Sequence, residues 1–362
     1  MGARTDPPDP AVDASRVPFD RLRDFIAAAF GRVGIPPDDA RTLGELMAEA
    51  DLQGSDGHGV IRLAPYVRRI RAGGVNVRPD IRVVTERAGM ALVHGDNGMG
   101  HLVMKRAARI AIEKAREAGV AWVGAHWSNH AGPASLYARM PLAHDMIGLY
   151  FAVGNANHLP PWGGLDLLLS TNPIAAAIPA LQEAPVVLDM ATTVAAYGKV
   201  KANAQRGETM PEGWMVDRAG RPLTDPTRAA EGFLLPIGGY KGYGLAVIVA
   251  LLAGTLNDAA VGKEVVDFNV DSASASNTGQ AIMAIDVAAF GDVAAFKRRV
   301  DTLVRDLRAA ERMPGVERIW VPGEQSHAKR VAYARDGIPI PPQLMKVLDQ
   351  VAAELRIAKL AG

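Results

Sequence analysis

The chain has 362 residues, and its 40 basic and 39 acidic side chains nearly cancel, so no charged surface is expected to collect nucleic acid or a membrane. It contains no cysteine, which excludes disulfides, thiolate metal sites and a cysteine nucleophile. A hydrophobic fraction of 49% at this length is typical of a globular protein with two domains or one elaborated domain.

The first part of the chain is predicted to be helical after a tail. Residues 1–17 lack the apolar run of a secretory signal and are rich in proline and acids, which predicts a disordered tail and a cytoplasmic protein. Apolar residues then recur at helical spacing from Phe19 to Asp51, with a break at GRVGIPPDD, and again from Val60 to Arg71. Residues 18–80 are interpreted as the first part of a helical domain.

The middle of the chain, residues 81–295, alternates strands and helices and is interpreted as a mixed sheet domain. IRVVTERAGMALVHGDNG predicts two strands joined by a turn, and the long helix that follows stops at Gly119. The apolar strand after this glycine delivers Ser128, Asn129 and His130 to a strand-to-helix junction. AGPASLYARMPLAHD predicts a helix, and MIGLYFAVGNA and APVVLDMATT predict strands.

The apolar run from Leu245 to Leu256 is too short for a membrane span of about 20 residues and predicts a buried helix. Residues 296–362 return to helical spacing and are interpreted as the second part of the helical domain, which is then discontinuous. No predicted strand is followed by GxGxxG, so a Rossmann domain is not supported. The predicted fold class is α/β in the α+β sense.

A polar stripe is predicted on the third helix. His58, Arg62 and Tyr66 fall at i, i+4 and i+8, which aligns an imidazole, a guanidinium and a phenol on one face. Such a face suits a carboxylate, because arginine offers a planar two-pronged donor and tyrosine a further one. A solvated helix face has the same spacing. The other arginines of this helix are interpreted as solvated: Arg68, Arg69 and Arg71.

The segment AHWSNHAG carries two histidines, His126 and His130. A zinc protease motif needs HExxH, but Trp127 stands where the glutamate is required, and no metal site is predicted. His130 at a strand end, beside Ser128 and Asn129, suits a general acid/base, since an imidazole with an ordinary pKa of about 6.5 titrates near neutral pH. A hydrogen-bonded packing histidine is the alternative, and His126 is interpreted as structural.

Asp189 and Lys241 are further candidates. Asp189 ends an apolar strand, where an unpaired carboxylate is costly, so hydrogen bonds from a histidine or from backbone are expected. An architectural role is the alternative for this residue. Lys241 lies in GGYKGYG, where N–H groups at a helix start and one cation suit a phosphate, although this motif alone does not specify a ligand.

Together these stretches resemble the malate/L-lactate dehydrogenase family of NAD(P)-dependent oxidoreductases, a non-Rossmann group that includes ureidoglycolate and sulfolactate dehydrogenases and cyclic-imine reductases. The resemblance runs from about residue 19 to 355 and rests on an ordered set of motifs: ADLQGSDGHGVIRLAPYVRRIRAGGVN, SNHAG, LLSTNPIAAAIP, VVLDMATT, GGYKGYGLA and VPGE. It implies a largely antiparallel sheet domain that binds the cofactor, a helical domain, and a homodimer.

The resemblance also assigns roles to residues of this chain. By it, His130 is the acid/base that exchanges a proton with the substrate, and His58 and Asp189 join it as catalytic candidates. Arg62 and Tyr66 line the substrate site. The positions implied for the nicotinamide cofactor, NAD or NADP, are Asp189, Met190, Ala191, Lys241, Pro322, Gly323 and Glu324.

The reaction implied is hydride transfer between nicotinamide and C2 of a small 2-oxo or 2-hydroxy carboxylic acid. Reduction of a cyclic imino acid is an alternative, and a catalytically silent ligand-binding relative is another. The chain departs from the family at Gly57, where the SHG motif has serine, at Ala131, where an aromatic often stands, and at Trp162. These departures leave the substrate open.

Overall fold

The computed structural model describes residues 14–361, and 44% of it is helical. The strands are β1 (Ser15–Val17), β2 (Arg82–Arg87), β3 (Met90–His94), β4 (Val120–Ser128), β5 (Met146–Ala152), β6 (Ile174–Ile178), β7 (Val186–Met190), β8 (Met215–Asp217), β9 (Gly232–Leu234), β10 (Thr278–Asp286) and β11 (Ile338–Ile340). The helices are α1 (Phe19–Arg32), α2 (Pro37–Leu52), α3 (Leu63–Arg71), α4 (Gly100–Ala118), α5 (Ser135–Ala138), α6 (Tyr197–Arg206), α7 (Tyr240–Val249), α8 (Val293–Ala309), α9 (Glu324–Asp336) and α10 (Pro342–Leu355). A 3₁₀ turn at Val60–Arg62 leads into α3.

A seven-stranded sheet forms the centre of the molecule, in the order β2-β3-β4-β10-β5-β6-β7. Every neighbouring pair is antiparallel except β3 and β4. Helix α4 packs across β3, β4 and β10 through small buried residues such as Ala107 and Ala111. Gly119 ends this helix with a φ of 77°, which glycine adopts without a Cβ clash. This mixed sheet confirms the predicted α/β class and differs from the parallel sheet of a Rossmann domain.

Helices from both ends of the chain share one hydrophobic core. Phe30 of α1, Leu43 of α2 and Leu63 of α3 belong to the same buried cluster as Leu348 and Leu355 of α10. The antiparallel pair β1–β11 adds a second connection between the two ends. The N-terminal and C-terminal segments therefore stabilise each other, although most of the sheet lies between them in the sequence.

Part of the predicted tail is ordered. Ser15–Val17, which fall within that tail, form β1 because their backbone pairs with β11, and Val17 is buried. The remainder of the tail prediction, residues 1–13, lies outside the described residues.

Helix α8 begins just before residue 296, where the second helical segment is predicted, but it is fixed to the sheet. Asp301 of this helix accepts hydrogen bonds from the backbone N–H groups that connect β6 to β7: Leu181, Gln182 and Glu183. Lys297 Nζ also donates to Asp145 Oδ1 at 2.7 Å, close to the start of β5. The contacts of α8 thus differ from those of α10, which packs with the N-terminal helices.

Two predicted helices differ in detail. The segment AGPASLYARMPLAHD forms only the single turn α5 and a 3₁₀ turn, Met140–His144, since Pro141 lacks the N–H of a longer helix. Helix α7 continues as a π-helical turn, Ala250–Gly254.

The apolar run on α7 is buried on one face only. The small residues face the core and the large ones face outward: Ala246, Val249 and Ala253 have no exposure, whereas Leu245, Ile248 and Leu251 are 38%, 52% and 49% exposed. The helical stretch Tyr240–Asn257 has the length and hydropathy of a membrane span, yet one side of it belongs to the core. The prediction of a fully buried helix is therefore wrong for its outer face.

Candidate active site

The junction after β4 is held by buried polar side chains. Asn129 is 4% exposed, and its amide donates to Asn97 O, Asn97 Oδ1 and Gly98 O at 2.9 to 3.0 Å. Ser128 Oγ donates to Gln280 Oε1 on the neighbouring strand at 2.7 Å. Ser128 and Asn129 therefore fix the backbone that carries His130 and make no hydrogen bond to its ring among the described residues.

The imidazole of His130 is held by hydrogen bonds and by stacking. Its Nδ1 lies 2.5 Å from Tyr66 Oη and accepts a hydrogen bond from the Gly132 backbone N–H at 3.3 Å. The ring stacks on Phe268 and His58, with centroids 5.3 Å and 5.7 Å away. Because a backbone N–H can only donate, Nδ1 is the acceptor and the proton of the neutral ring belongs on Nε2. Nε2 has no hydrogen bond within residues 14–361 and can meet a substrate oxygen.

The guanidinium of Arg62 faces the same cluster. Its Nε donates to Gly57 O at 2.7 Å, and the group lies over the ring of Phe268, 5.8 Å from the centroid. Nη1 and Nη2 make no hydrogen bond in the described part of the chain. These two free N–H groups of Arg62 match the planar geometry of a carboxylate. The guanidinium lies over Phe268, the same ring that stacks on His130.

The members of the predicted stripe lie together beside His130: His58, Arg62 and Tyr66. The turn that starts the stripe is held by Asp51, whose Oδ2 accepts a hydrogen bond from Val60 N at 2.7 Å. A Cβ on Gly59 would overlap this carboxylate, so only glycine fits there. The Tyr66 hydroxyl is engaged with His130, which differs from its predicted use as a carboxylate ligand.

Burial keeps the titratable groups of the cluster neutral. It lowers the pKa of His58 to about 4 and holds the pKa of His130 well below its usual value, and the charge of Arg62 lowers both further. Burial also raises the pKa of Tyr66, so the phenol keeps its proton at neutral pH. Arg62 is therefore a fixed positive charge beside neutral donors and acceptors.

Phe268 and His101 complete the cluster and were not found from the sequence. Phe268 comes from the loop before β10, where no periodic pattern indicates which residue faces the site. His101 of α4 is fully buried and lies edge-on to Tyr66 with ring centroids 5.8 Å apart. Burial lowers the pKa of His101 to about 3, and both of its ring nitrogens lack a hydrogen-bond partner among the described residues.

Arg69 is predicted to be solvated, and this is wrong. Its side chain is 2% exposed and donates to backbone carbonyls just after α3 and in the loop after Phe268: Gly74, Asp271 and Ser274. The loop that carries Phe268 is thereby tied to α3. The sequence did contain a pattern that indicates this burial, since Arg69 lies at i+7 from Arg62 and continues the polar stripe.

Asp189 lies at the end of β7, the edge strand of the sheet. Its Oδ2 accepts a hydrogen bond from the Ser135 backbone N–H at 2.8 Å, which is the backbone alternative that the sequence allows. The surrounding protein raises the pKa of Asp189, although the residue keeps contact with solvent. The segment from His130 to Ser135 links this carboxylate to the histidine cluster. No hydrogen bond joins Asp189 to a histidine within the residues that the structure describes.

The end of β7 meets the start of α7. Met190 ends the strand, Ala191 follows, and the carbonyl of the next residue, Thr192, accepts a hydrogen bond from Ile237 N at 3.0 Å. This contact brings Lys241, in the first turn of α7, to the same end of the sheet. Segments that carry predicted cofactor residues and are far apart in the sequence therefore meet at one end of the sheet. This region, between the end of β7 and the start of α7, is called the β7 crevice.

The start of α7 is open to solvent. Gly238 and Gly239 precede it with φ values of 61° and 67°, and a Cβ on Gly238 would meet nothing within 4 Å. Lys241 is exposed and forms no ion pair with the described residues. The first N–H groups of a helix have no partner within it, so this end suits an anion.

The remaining predicted cofactor residues, Pro322, Gly323 and Glu324, lie on the outer side of β7. Pro322 O accepts a hydrogen bond from Val187 N at 3.0 Å, and a Cβ on Gly323 would lie 2.9 Å from Val187. Glu324 is engaged within the protein, because its carboxylate accepts from Arg308 Nε at 2.5 Å. The backbone of Pro322 and Gly323 contacts Val187 near the start of β7, whereas the Glu324 side chain anchors α8.

No group of three His, Asp or Glu side chains that could hold a metal ion occurs among residues 14–361. His126, interpreted as structural, lies in β4 with its Nε2 3.2 Å from His94 Nδ1. The two histidines of AHWSNHAG thus have different surroundings, and only His130 lies beside Arg62 and Tyr66.

Comparisons with known proteins agree along nearly the whole chain. A family model described as malate/L-lactate dehydrogenase matches residues 17–349. Malate dehydrogenase of Pyrococcus horikoshii is 36% identical over 95% of this chain and 97% of its own length. Its solved structure has a TM-score of 0.88 at 34% identity and covers 96% of this chain and 98% of that chain.

Two further relatives are named for other activities. L-sulfolactate dehydrogenase of Methanocaldococcus jannaschii is 35% identical over 90% of this chain and 92% of its own. Delta(1)-pyrroline-2-carboxylate/Delta(1)-piperideine-2-carboxylate reductase of Pseudomonas putida is 33% identical over 93% of this chain and 96% of its own. The chain therefore belongs to the malate/L-lactate dehydrogenase family, a family of NAD(P)-dependent oxidoreductases that act on 2-hydroxy acids.

Proposed function

We propose that this protein transfers hydride between nicotinamide and C2 of a small 2-oxo or 2-hydroxy carboxylic acid, with His130 as the acid/base. The observation that carries the proposal is the convergence of the Arg62 guanidinium and the His130 imidazole on the ring of Phe268. In a 2-oxo acid the carboxylate and the C2 oxygen are neighbours. A carboxylate held by Arg62 therefore places the C2 oxygen near His130 Nε2 and removes much of the entropic barrier.

The β7 crevice supports a nicotinamide dinucleotide, NAD or NADP, as the cofactor. Lys241 and the N-terminus of α7 would hold a phosphate, since Gly238 leaves room for it. Asp189, with Met190 and Ala191, would line the wall that leads towards His130. When bound, the cofactor donates or accepts the hydride.

The charge of Arg62 couples substrate binding to the proton step. In the free protein this charge helps to lower the pKa of His130. A bound carboxylate offsets the charge and raises the pKa of His130 towards neutrality, so protonated His130 can give its Nε2 proton to the C2 oxygen. The remaining ring proton then stays on Nδ1, where Tyr66 Oη accepts it. In the oxidative direction this Nδ1–H tautomer takes the proton of the C2 hydroxyl at Nε2.

Tyr66 and His58 would position the acid/base. The Tyr66 hydroxyl at Nδ1 and the Gly132 N–H keep Nε2 directed at the substrate. His58 stacks flat on His130 with an interplanar angle of 10° and stays neutral at pH 7, so it adds no repulsive charge to the imidazolium that forms.

A cyclic imino acid is a second candidate substrate. Such a compound presents a carboxylate next to the carbon that accepts hydride, and its nitrogen needs the proton that an oxo group otherwise receives. The name of the Pseudomonas putida relative favours it. The same Arg62 and His130 would serve this reaction without rearrangement.

The test is the absorbance of NADH and of NADPH, measured separately against a panel of 2-oxo acids and cyclic imino acids. Oxidation of one cofactor with 2-oxo acids supports the main proposal. Oxidation with cyclic imines alone selects the second candidate. Tight cofactor binding without turnover of any compound would indicate a silent ligand-binding relative and contradict both.

We also propose a homodimer. The outer face of α7 presents Leu245, Ile248 and Leu251 as a continuous apolar stripe, which a second copy of the chain would cover. Light scattering after size exclusion is expected to give twice the monomer mass of 38.3 kDa. Replacing Ile248 and Leu251 by glutamate is expected to give the monomer.

A further inference from the structure

A second cation lies near the proposed substrate site, on a different element from Arg62. Lys201 belongs to α6, and its Nζ donates to Asn269 Oδ1 at 3.3 Å. The ammonium also lies over the ring of Tyr197, 5.5 Å from the centroid, and that ring stacks on His158 at 4.0 Å. The ammonium thus lies between the ring of Tyr197 and the side chain of Asn269.

This loop is the one that builds the histidine cluster. Phe268, next to Asn269 in the sequence, stacks on His130 and lies under Arg62. Lys201 therefore reaches the loop one residue away from the ring that Arg62 covers. The charge of Arg62 acts with partial burial to lower the pKa of Lys201, as expected for two cations that share one region.

The ammonium of Lys201 is not held in an ion pair. No carboxylate lies within ion-pair distance of its Nζ in the described part of the chain. Asp267 attracts the ammonium and opposes the lowering of its pKa, but Asp267 Oδ1 accepts both N–H groups of Asn269, the backbone one and the side-chain one, at 2.9 Å. The residue itself is exposed, so a ligand can reach it.

We propose that Lys201 is a specificity-determining residue that binds a second anionic group of the substrate, at the end opposite the carboxylate held by Arg62. The proposal rests on the proposed function and makes the preferred substrates 2-oxo or 2-hydroxy acids with a carboxylate or sulfonate on C3. Two cations on separate elements bind the two ends of such a dianion, whereas a monoanion uses Arg62 alone.

The experiment compares kcat/KM for oxaloacetate, sulfopyruvate and pyruvate in the wild type and in Lys201→Ala, Lys201→Arg and Lys346→Ala. In Lys201→Ala the ratio of dianion to pyruvate kcat/KM is expected to fall about 10-fold to 100-fold, as for a lost charge-assisted hydrogen bond. Lys201→Arg should recover part of the ratio. Lys346, an exposed lysine on α10, is the control and should keep the wild-type ratio.

The other outcomes either narrow the proposal or overturn it, and they can be told apart. A fall confined to one dianion would assign Lys201 to that anion class, carboxylate or sulfonate, and would keep the proposal. Equal losses with pyruvate and with the dianions, or a higher KM for NAD(P)H alone, would overturn it and assign Lys201 to the architecture or to the cofactor. A wild type that oxidises no cofactor with any of these acids would refute the proposed function, and this inference with it. Circular dichroism and thermal unfolding would show that the variants are folded.

Discussion

The histidine cluster between α3 and β4 and the β7 crevice hold their polar groups in different ways. In the cluster, two rings stack on His130, and Nδ1 is bonded to the protein. In the crevice, Lys241 is exposed, and Gly238 before it leaves open space. One region is pre-organised and largely dry, and the other is open to solvent.

The difference follows from what each region would have to do. A proton donor acts within hydrogen-bond reach and needs a fixed ring and a controlled pKa, which burial and neighbouring charge provide. A cofactor that is exchanged at each turnover needs an open path and contacts that can be broken. The segment from His130 to Ser135 joins the two regions, because the Ser135 backbone N–H donates to Asp189 Oδ2.

The largest effect is expected from the centre of the cluster. His130→Ala should lower kcat about 10²-fold to 10⁴-fold, because a positioned acid/base contributes a factor of that size. Steady-state kinetics with the substrate found by the absorbance screen measure it. His126→Asn is the matched control, since it changes the other histidine of the same segment, and it should keep kcat near the wild-type value. Near-normal turnover in a folded His130→Ala variant would remove the acid/base role.

The next effect concerns the carboxylate. Arg62→Met should lower kcat/KM for the acid substrate about 10-fold to 100-fold, since two charge-assisted hydrogen bonds are lost, while the Kd of NAD(P)H stays the same. Arg68→Met, at an exposed position on the same helix, should change neither quantity. If Arg62→Met raised the Kd of NAD(P)H and left kcat/KM for the acid unchanged, the substrate and cofactor regions would have been assigned the wrong way round.

The pH dependence of stability separates the two regions as well. His101 has a pKa of about 3 in the folded protein against an ordinary 6.5, so the unfolded chain binds the proton first and stability falls as the pH drops below about 6.5. His101→Gln cannot titrate. The loss of unfolding free energy between pH 7.5 and pH 5, measured with urea, should be smaller in this variant by about 2 kcal/mol. An unchanged pH dependence would show that His101 is not kept neutral.

The smallest effect is expected in the β7 crevice. Lys241→Ala should raise the Kd of NAD(P)H about 10-fold, because an exposed cation contributes at most about 1.4 kcal/mol to binding a phosphate. Fluorescence titration measures the Kd, and the pH profile of kcat should not move. A loss of kcat with an unchanged Kd would place Lys241 with the acid/base instead. Lys346→Ala again serves as the control.

Parts of the candidate site were predictable because local periodicity decides them. The spacing of His58, Arg62 and Tyr66 predicts that they lie together, and they do, although only Tyr66 belongs to α3. Arg62 lies in the 3₁₀ turn and His58 in the turn before it. The apolar strand β4 ends two residues before His130, as its pattern predicts. The same rule extends to Arg69, yet a row of arginines in a helix carries no information on whether the helix faces solvent or protein. Its burial depends on the loop that covers it.

Other features have no local signal. Phe268 lies in a loop, and its position depends on the contacts of Arg69 with that loop. Tyr66 was expected to bind a carboxylate, but the distance of its hydroxyl from His130 is set by how α3 packs against the end of β4. The exposed face of α7 likewise reflects which side of an apolar helix meets the sheet.

The sequence by itself determined most of the helices and strands, the family, and the residue types available for acid/base chemistry and anion binding, because spacing along one chain fixes which side chains share a face. The tertiary structure alone decided that Asp189 meets Ser135, that the start of α7 lies beside the end of β7, and that Lys201 and Arg62 approach one loop. These contacts join segments far apart in the sequence, and only the packing of the sheet against the helices brings them together.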